Sequence, residues 1–343
     1  MSNSYKKIVI FGAGAIGGSV GAWIAEMYDN IYFIDQGATA EAMKSKGITT
    51  YLQGNKDKAV NVTVKTADSL TECGYIDVLV LSVKTYSLDN VCRYIKESIK
   101  NEPIIVALQN GVENQNVIPK YFKRVIYGVI SYNAWFDEPG VIGYQKKGPL
   151  ILGTFDKELE SEMEEICRLF NMGVETITTD HFQDAAHSKM VINLTNSLTT
   201  LIGLRYRDIT SMKLFKKVLS NLTYEGVRIA KASGFKECKL GGMPSWKTMW
   251  AAVHLPDFIT DGVFRKNVDK MVLSSMGQDV LQRKGHDTEL ETLNGHFIKL
   301  ADKAGLKIPY NRAVYELCRE EFSKPEFEPI TIEKVWERVQ KYM

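Results

Sequence analysis

The sequence predicts an α/β N-terminal half built on a doubly wound sheet and an all-α C-terminal half. Three observations carry this. Buried β-branched runs alternate with helical patterns up to about residue 180, a glycine-rich turn follows the first run directly, and long amphipathic patterns replace strand signals from about residue 181. At roughly 150 residues per domain, 343 residues also suggest two domains. The expected division is 1–180 and 181–343, with a ligand cleft between the halves.

The runs Lys7–Phe11, Ile31–Ile34, Val78–Ser82 and Ile104–Leu108 are continuously apolar, as strands of a parallel sheet covered on both faces should be. Helical patterns lie between them near 15–28, 38–46, 87–99 and 112–119. From about 123 to 154 short strands punctuated by Gly140, Gly143, Gly148 and Gly153 read as an antiparallel extension of the same sheet. A helix at about 157–171 and a strand at about 174–178 complete this half. The C-terminal helices are expected near 181–203, 211–232, 264–284, 287–304, 309–322 and 331–341.

Composition excludes several functions. Forty-three Lys and Arg against 41 Asp and Glu leave a formal charge of +2 without a basic tract, which argues against nucleic acid or an anionic membrane as partner. The five cysteines (Cys73, Cys92, Cys167, Cys238, Cys318) form no C-x-x-C pair, and no His, Cys and carboxylate group has ligand spacing. Reduced thiols, a cytoplasmic setting and no metal site are therefore expected. The uncharged run Ile8–Ala25 has the length of a membrane anchor, but its five glycines suit a tight turn better than a spanning helix.

That run contains Gly12-Ala13-Gly14-Ala15-Ile16-Gly17, a G-x-G-x-x-G between a strand and a helix. Gly12 would allow the turn, Gly14 would let a pyrophosphate approach the backbone, and Gly17 would let the helix pack closely. A second strand ends in Asp35 at the fingerprint distance. Asp35 suits the ribose hydroxyls of NAD and opposes the 2′-phosphate of NADP, and Gln36 supplies no arginine for that phosphate. NAD is favoured over NADP, unless Asp35 only caps the next helix or Lys44 or Lys46 reaches the phosphate.

Lys84 and Asn110 follow two further strands, where ligands bind in open α/β sheets. Each could contact cofactor or substrate, or be a solvated loop residue. Farther on, Lys189, Asn193, Asn196 and Thr200 recur at helical spacing among apolar residues. Such a stripe faces either solvent or a wet cleft, because buried unpaired amides and amines are costly. Ser274-Ser275-Met276 and Glu289 with Asn294-Gly295 are complementary polar pieces, although Glu289 alone reads as a surface carboxylate.

These motifs together resemble the ketopantoate reductase (2-dehydropantoate 2-reductase) family. The matching pieces are Gly12-x-Gly14-x-x-Gly17, Lys84, Asn110-Gly111, Lys189-x-x-x-Asn193, Ser274-Ser275-Met276-x-Gln278-Asp279, Thr288-Glu289, Asn294-Gly295, and Gly305 with Pro309 and Asn311, in family order. The resemblance implies a Rossmann-type domain followed by a helical domain and reduction of a branched 2-keto acid by NAD(P)H. Lys189 corresponds to the general acid, Asn110, Asn193, Ser275 and Glu289 to substrate contacts, and Lys84 and Asn110 to cofactor contacts. Gln36 and Val272 depart from the family pattern, and residues 234–262, with Met243, Trp246, Met249, Trp250 and His254, have no clear counterpart. That segment reads as helix packing, a homodimer interface, or a reshaping of the substrate pocket by Trp246 or Trp250. A 3-hydroxy-acid or opine-type dehydrogenase and a non-catalytic NAD(H) sensor are the other readings of the chain.

Overall fold

The computed structural model describes residues 5–282 and 288–343, in two compact units that meet in sequence between Phe182 and Gln183. The first unit runs β1 (Ile8–Phe11), α1 (Ala15–Ala25), β2 (Ile31–Ile34), α2 (Gly37–Lys46), β3 (Ile48–Leu52), β4 (Val60–Val62), β5 (Lys65–Thr66), β6 (Val78–Leu81), α3 (Leu88–Ser98), β7 (Ile104–Ala107), α4 (Asn114–Val117), β8 (Val125–Ile130), β9 (Ala134–Glu138), β10 (Val141–Tyr144), β11 (Leu150–Gly153), α5 (Glu160–Phe170) and β12 (Thr176–Thr178). Its main sheet has eight strands in the order β12-β11-β8-β7-β6-β1-β2-β5. From β8 to β5 all neighbours are parallel, and β11 turns antiparallel against β8. The apolar runs expected as buried strands form its centre, and every residue of β6 and β7 is buried.

The segment from 123 to 154 departs from expectation. Only β8 and β11 extend the main sheet, whereas β9 and β10 join β3 and β4 in a separate sheet of order β4-β3-β10-β9. The physical reason is β3, whose Thr-rich sequence gave no strand signal and which pairs in parallel with β10. Helix α1 touches β1 and β2 on one side and β3, β9 and β10 on another. It is therefore buried from Gly17 to Ile24. A Cβ at Gly18 would strike Ile142 of β10, and one at Gly21 would strike Phe33 of β2. The glycine density read as a tight turn thus serves mainly a helix pressed between two sheets. The helix expected at 112–119 is also shorter, a single turn of α4 followed by a 3-10 turn at Ile118–Lys120.

The second unit contains α6 (Phe182–Leu201), α7 (Met212–Ala232), α8 (Trp246–His254), α9 (Asp257–Lys270), the single turn α10 (Ser275–Gly277), α11 (His296–Lys303), α12 (Pro309–Phe322) and α13 (Ile332–Gln340). Helix α7 is its axis, touching α8, α11, α12 and α13. At Gly226 it approaches α6 so closely that a Cβ would meet Leu194 at 2.5 Å. Two π-helical turns, Gln278–Gln282 and Glu291–Gly295, follow α10 and precede α11.

The single helix expected at 264–284 is not formed. Helix α9 starts earlier and stops at Lys270, because the Arg205 side chain donates to the carbonyls of Val268 (2.6 Å), Asp269 (2.7 Å) and Met271 (2.8 Å) at its C-terminal end. Arg205 itself lies in the left-handed region, with φ of 71°. The expected ends near 284 and 287 lie outside the described residues. Within 234–262 lie α8 and the start of α9, which is fastened to α7 by the buried Lys216 ammonium through Asp257 (2.8 Å), Thr260 (2.6 Å) and Asp261. Among the described residues no helix is long and apolar enough to cross a membrane, and no group of His, Cys and carboxylates is arranged to hold a metal ion.

Candidate active site

The turn after β1 is built from the predicted glycines. Gly12 has φ of 95°, and its N–H donates to Ile34 at 3.0 Å. Gly14 precedes α1, whose N-terminus has no side-chain cap, and around a Cβ at Gly14 there would be open space. The first-turn N–H groups at Ala15, Ile16 and Gly17 have no intrahelical acceptor by helix geometry, so loop and helix offer donors and room for an anion of phosphate size. A Cβ at Gly17 would overlap both the Gly12 carbonyl oxygen and Ser82 Oγ. Ser82 Oγ donates to that same Gly12 carbonyl at 2.6 Å, fastening the end of β6 to the turn.

Asp35 does not cap α2, which has no side-chain cap. Its Oδ2 accepts the Ala13 N–H at 2.5 Å and its Oδ1 accepts the Gln36 N–H at 2.7 Å, which holds the carboxylate against the glycine turn. Lys84 precedes the 3-10 turn Thr85–Ser87 after β6. After β7, Gln109 donates to the Leu81 carbonyl at 2.9 Å, and Gly111 takes φ of 83°. Because β7, β6, β1 and β2 are parallel neighbours, Asn110, Lys84, the glycine turn and Asp35 all leave the same edge of the sheet. Lys84 and Asn110 are each half-buried there.

In the second unit the polar stripe is buried rather than solvated. Lys189 is 8% exposed, Asn193 6% and Thr200 0%, and Asn196 is half-buried. The stripe finds partners on other elements. Lys189 Nζ lies 3.7 Å from Met243 Sδ, and Thr200 Oγ1 lies 3.1 Å from Ser274 Oγ. On the adjoining face Ser197 Oγ accepts the Asn294 amide at 2.9 Å. Ser274 also accepts the Gly277 N–H at 3.0 Å, capping α10, whose first residue is the half-buried Ser275. Glu289, which alone read as a surface carboxylate, is 6% exposed. Gly295 ends a π-helical turn, a feature frequent at functional sites, and its surroundings are Glu291 and Tyr315, themselves joined at 2.7 Å.

Sequence reasoning missed the contact of Met243 with Lys189. Of the two tryptophans read either as helix or interface packing or as reshaping the pocket, Trp250 is exposed and stacks on His254, while Trp246 is buried beside α7. The readable signal was Gly241-Gly242 before Pro244, which marks a sharp turn. His187, two residues before Lys189, was also missed. Its Nδ1 lies 2.8 Å from the Gln183 carbonyl and must donate, so the neutral ring accepts at Nε2 from His296 at 3.1 Å. Burial pushes its pKa down to about 4, opposed by the Gln183 bond.

Residues 8–157 match the family model described as ketopantoate reductase PanE/ApbA, and residues 181–321 match the C-terminal model of the same family. A 2-dehydropantoate 2-reductase of Pyrococcus horikoshii is 25% identical over 315 residues, covering 91% of this chain and 96% of the relative. One of Archaeoglobus fulgidus is 26% identical over 320 residues, 92% of this chain and 97% of the relative. Among solved structures, D-mandelate dehydrogenase with NADH and anilino(oxo)acetate superposes with a TM-score of 0.73 at 19% identity, covering 94% of this chain and 99% of the other. A PanE/ApbA family ketopantoate reductase from Ralstonia eutropha gives 0.72 at 20% identity, covering 93% and 98%. These similarities show the Rossmann-type fold with its helical second domain.

Proposed function

The chain belongs to the ketopantoate reductase family, and from that premise we propose that it reduces a branched 2-keto acid, 2-dehydropantoate or a relative, to the 2-hydroxy acid. The observation that carries this reading is Lys189, an ammonium buried on a helix face with Asn193 one turn away. A ketone being reduced gains negative charge on oxygen, and a desolvated lysine can supply both charge and proton. When bound, a nicotinamide dinucleotide would supply the hydride for this reduction.

Lys189 Nζ donates its proton to the ketone oxygen, which becomes the hydroxyl of the product. Asn193, Ser275, Glu289 and Asn110 bind the hydroxyl and carboxylate groups of the substrate. The dinucleotide is held by the turn Gly12, Gly14, Ala15, Ile16 and Gly17, by Asp35, and by Lys84 and Asn110. The open space at Gly14 and the uncapped start of α1 support that fit.

NAD is preferred to NADP in this reading. Asp35 stands at the end of β2 with no arginine beside it, and Lys44, a candidate cation for a 2′-phosphate, is paired with Asp68. The test is NADH and NADPH oxidation by the purified protein with a panel of 2-keto acids. Turnover is expected with NADH and a branched acid, and Lys189→Ala should lower it at least about a hundredfold while NADH still binds. Undiminished turnover in that variant would reject the assignment of the acid.

A further inference from the structure

We propose that Met243 is a specificity-determining residue of the reaction just assigned, the apolar wall against which the side chain of the 2-keto acid packs beside Lys189. The proposal rests on that assignment for its substrate class and on the following geometry for its residue.

The segment after α7 is stitched onto α6 one turn at a time. Asp184 Oδ1 accepts the Lys236 N–H at 2.8 Å, and Ser188 Oγ, one turn farther along α6, accepts the Cys238 N–H at 2.9 Å. Glu237 Oε1 accepts the Trp246 N–H at 2.6 Å, tying the start of α8 back to the same segment. Between these anchors Gly241 and Gly242 take φ of 53° and 90°, two successive left-handed residues that reverse the chain. The reversal brings Met243 to Lys189, the residue after Ser188, with Sδ 3.7 Å from Nζ. Met243 is half-buried there.

A thioether suits this position chemically. It is a weak, uncharged acceptor, so it covers the ammonium without holding the proton as a carboxylate would. A ketone oxygen that is gaining charge outcompetes it for the same donor. Once that oxygen is at Nζ, the groups on the neighbouring carbons meet the methylenes and methyl of Met243, which reward apolar bulk of the right size. Discrimination by apolar contact of this kind amounts to about 10- to 200-fold per methylene-sized change.

Two readouts test the proposal. In the first, Lys189 acylation by an N-hydroxysuccinimide ester is followed by peptide mass spectrometry, with no substrate present. Removing the cover in Met243→Ala should speed labelling of Lys189 severalfold, and Ser188→Ala, which unfastens Cys238, should act in the same direction. In the second, kcat/KM is measured for straight-chain, branched and aromatic 2-keto acids. Met243→Ala should shift the aromatic-to-branched ratio at least about tenfold towards the larger acid, mostly through KM, and Met243→Leu should keep the wild-type order.

Unchanged labelling in both variants overturns the contact. Faster labelling with an unchanged substrate ratio overturns the specificity role while leaving the reductase assignment intact. If the wild-type chain turns over none of the acids, the assigned reaction falls and the specificity role falls with it, and labelling alone then decides the contact.

Discussion

One carboxylate oxygen of Glu225 accepts both N–H groups of Asn311, the main-chain donor at 2.8 Å and the side-chain amide at 2.9 Å. The other oxygen accepts the Tyr310 N–H at 3.2 Å, so a residue in the middle of α7 caps the first turn of α12. Burial outweighs these bonds and pushes the Glu225 carboxyl up to about 7. Between pH 4.5 and 7 the folded chain therefore keeps a proton that the unfolded chain releases, and stability from this group falls as pH rises. Glu225→Gln should remove that contribution, so that in urea unfolding its stability at pH 4.5 relative to pH 7.5 is lower than that of the wild type by about 3 kcal/mol.

His187 has the opposite sign. Its pKa is lowered in the folded chain, so between pH 6.5 and about 4 the unfolded chain binds the extra proton and stability is lost as pH falls. The effect amounts to about 3 kcal/mol and overlaps the Glu225 window, so these two groups nearly cancel in the wild-type chain. His187→Gln should expose the Glu225 slope, making the variant relatively more stable at pH 5 than at pH 7 in the same urea titrations. Parallel profiles for variant and wild type would refute the buried, neutral ring.

Gly14 and Gly17 separate binding from folding. Gly14→Ala meets open space and should leave the melting temperature within a few degrees of wild type. It should weaken NADH binding at least about tenfold, by calorimetry, because the methyl group enters the space proposed for the pyrophosphate. Gly17→Ala forces its methyl into the Gly12 carbonyl and Ser82 Oγ and should cost more than about 3 kcal/mol of stability.

Asp35→Asn retains an acceptor for the Ala13 N–H but removes the negative charge that, in the proposed cofactor site, would oppose a 2′-phosphate. The ratio of kcat/KM for NADPH to that for NADH should rise about tenfold or more. No change in the ratio would show that Asp35 does not govern the choice.

Arg205→Ala withdraws donors from three carbonyls at the end of α9. The expected cost is about 2 kcal/mol, with faster hydrogen exchange confined to the C-terminal turn of α9. Exchange unchanged at residues 266–271 would contradict the capping role.

What was legible in the sequence was whatever depended on near neighbours. The four central strands were readable because a parallel sheet buries both faces, and α6, α7, α12 and α13 because each keeps one helical period along its length. The second sheet was not readable, since β3 (Ile48–Leu52) is stabilised by β10, 89 residues later from Leu52 to Val141, rather than by its own pattern. The end of α9 was set by Arg205, more than 60 residues earlier in the chain. At the candidate site, residue types and spacing pointed to Lys189 and Asn193, but the Met243 contact depends on a reversal at Gly241 and Gly242 whose direction no spacing encodes.

The absent side chain at Gly17 has an evolutionary consequence. The same missing methyl permits the helix to seat against the end of β6 and leaves undisturbed the preceding turn, which we propose holds the nucleotide phosphates. Selection for a folded unit and selection for a nucleotide therefore act on one atom. A lineage that abandoned the nucleotide would be free to change Gly14, where only open space is at stake, but would still have to keep Gly17. Among diverged descendants, the first of these two glycines reports on binding and the second on architecture.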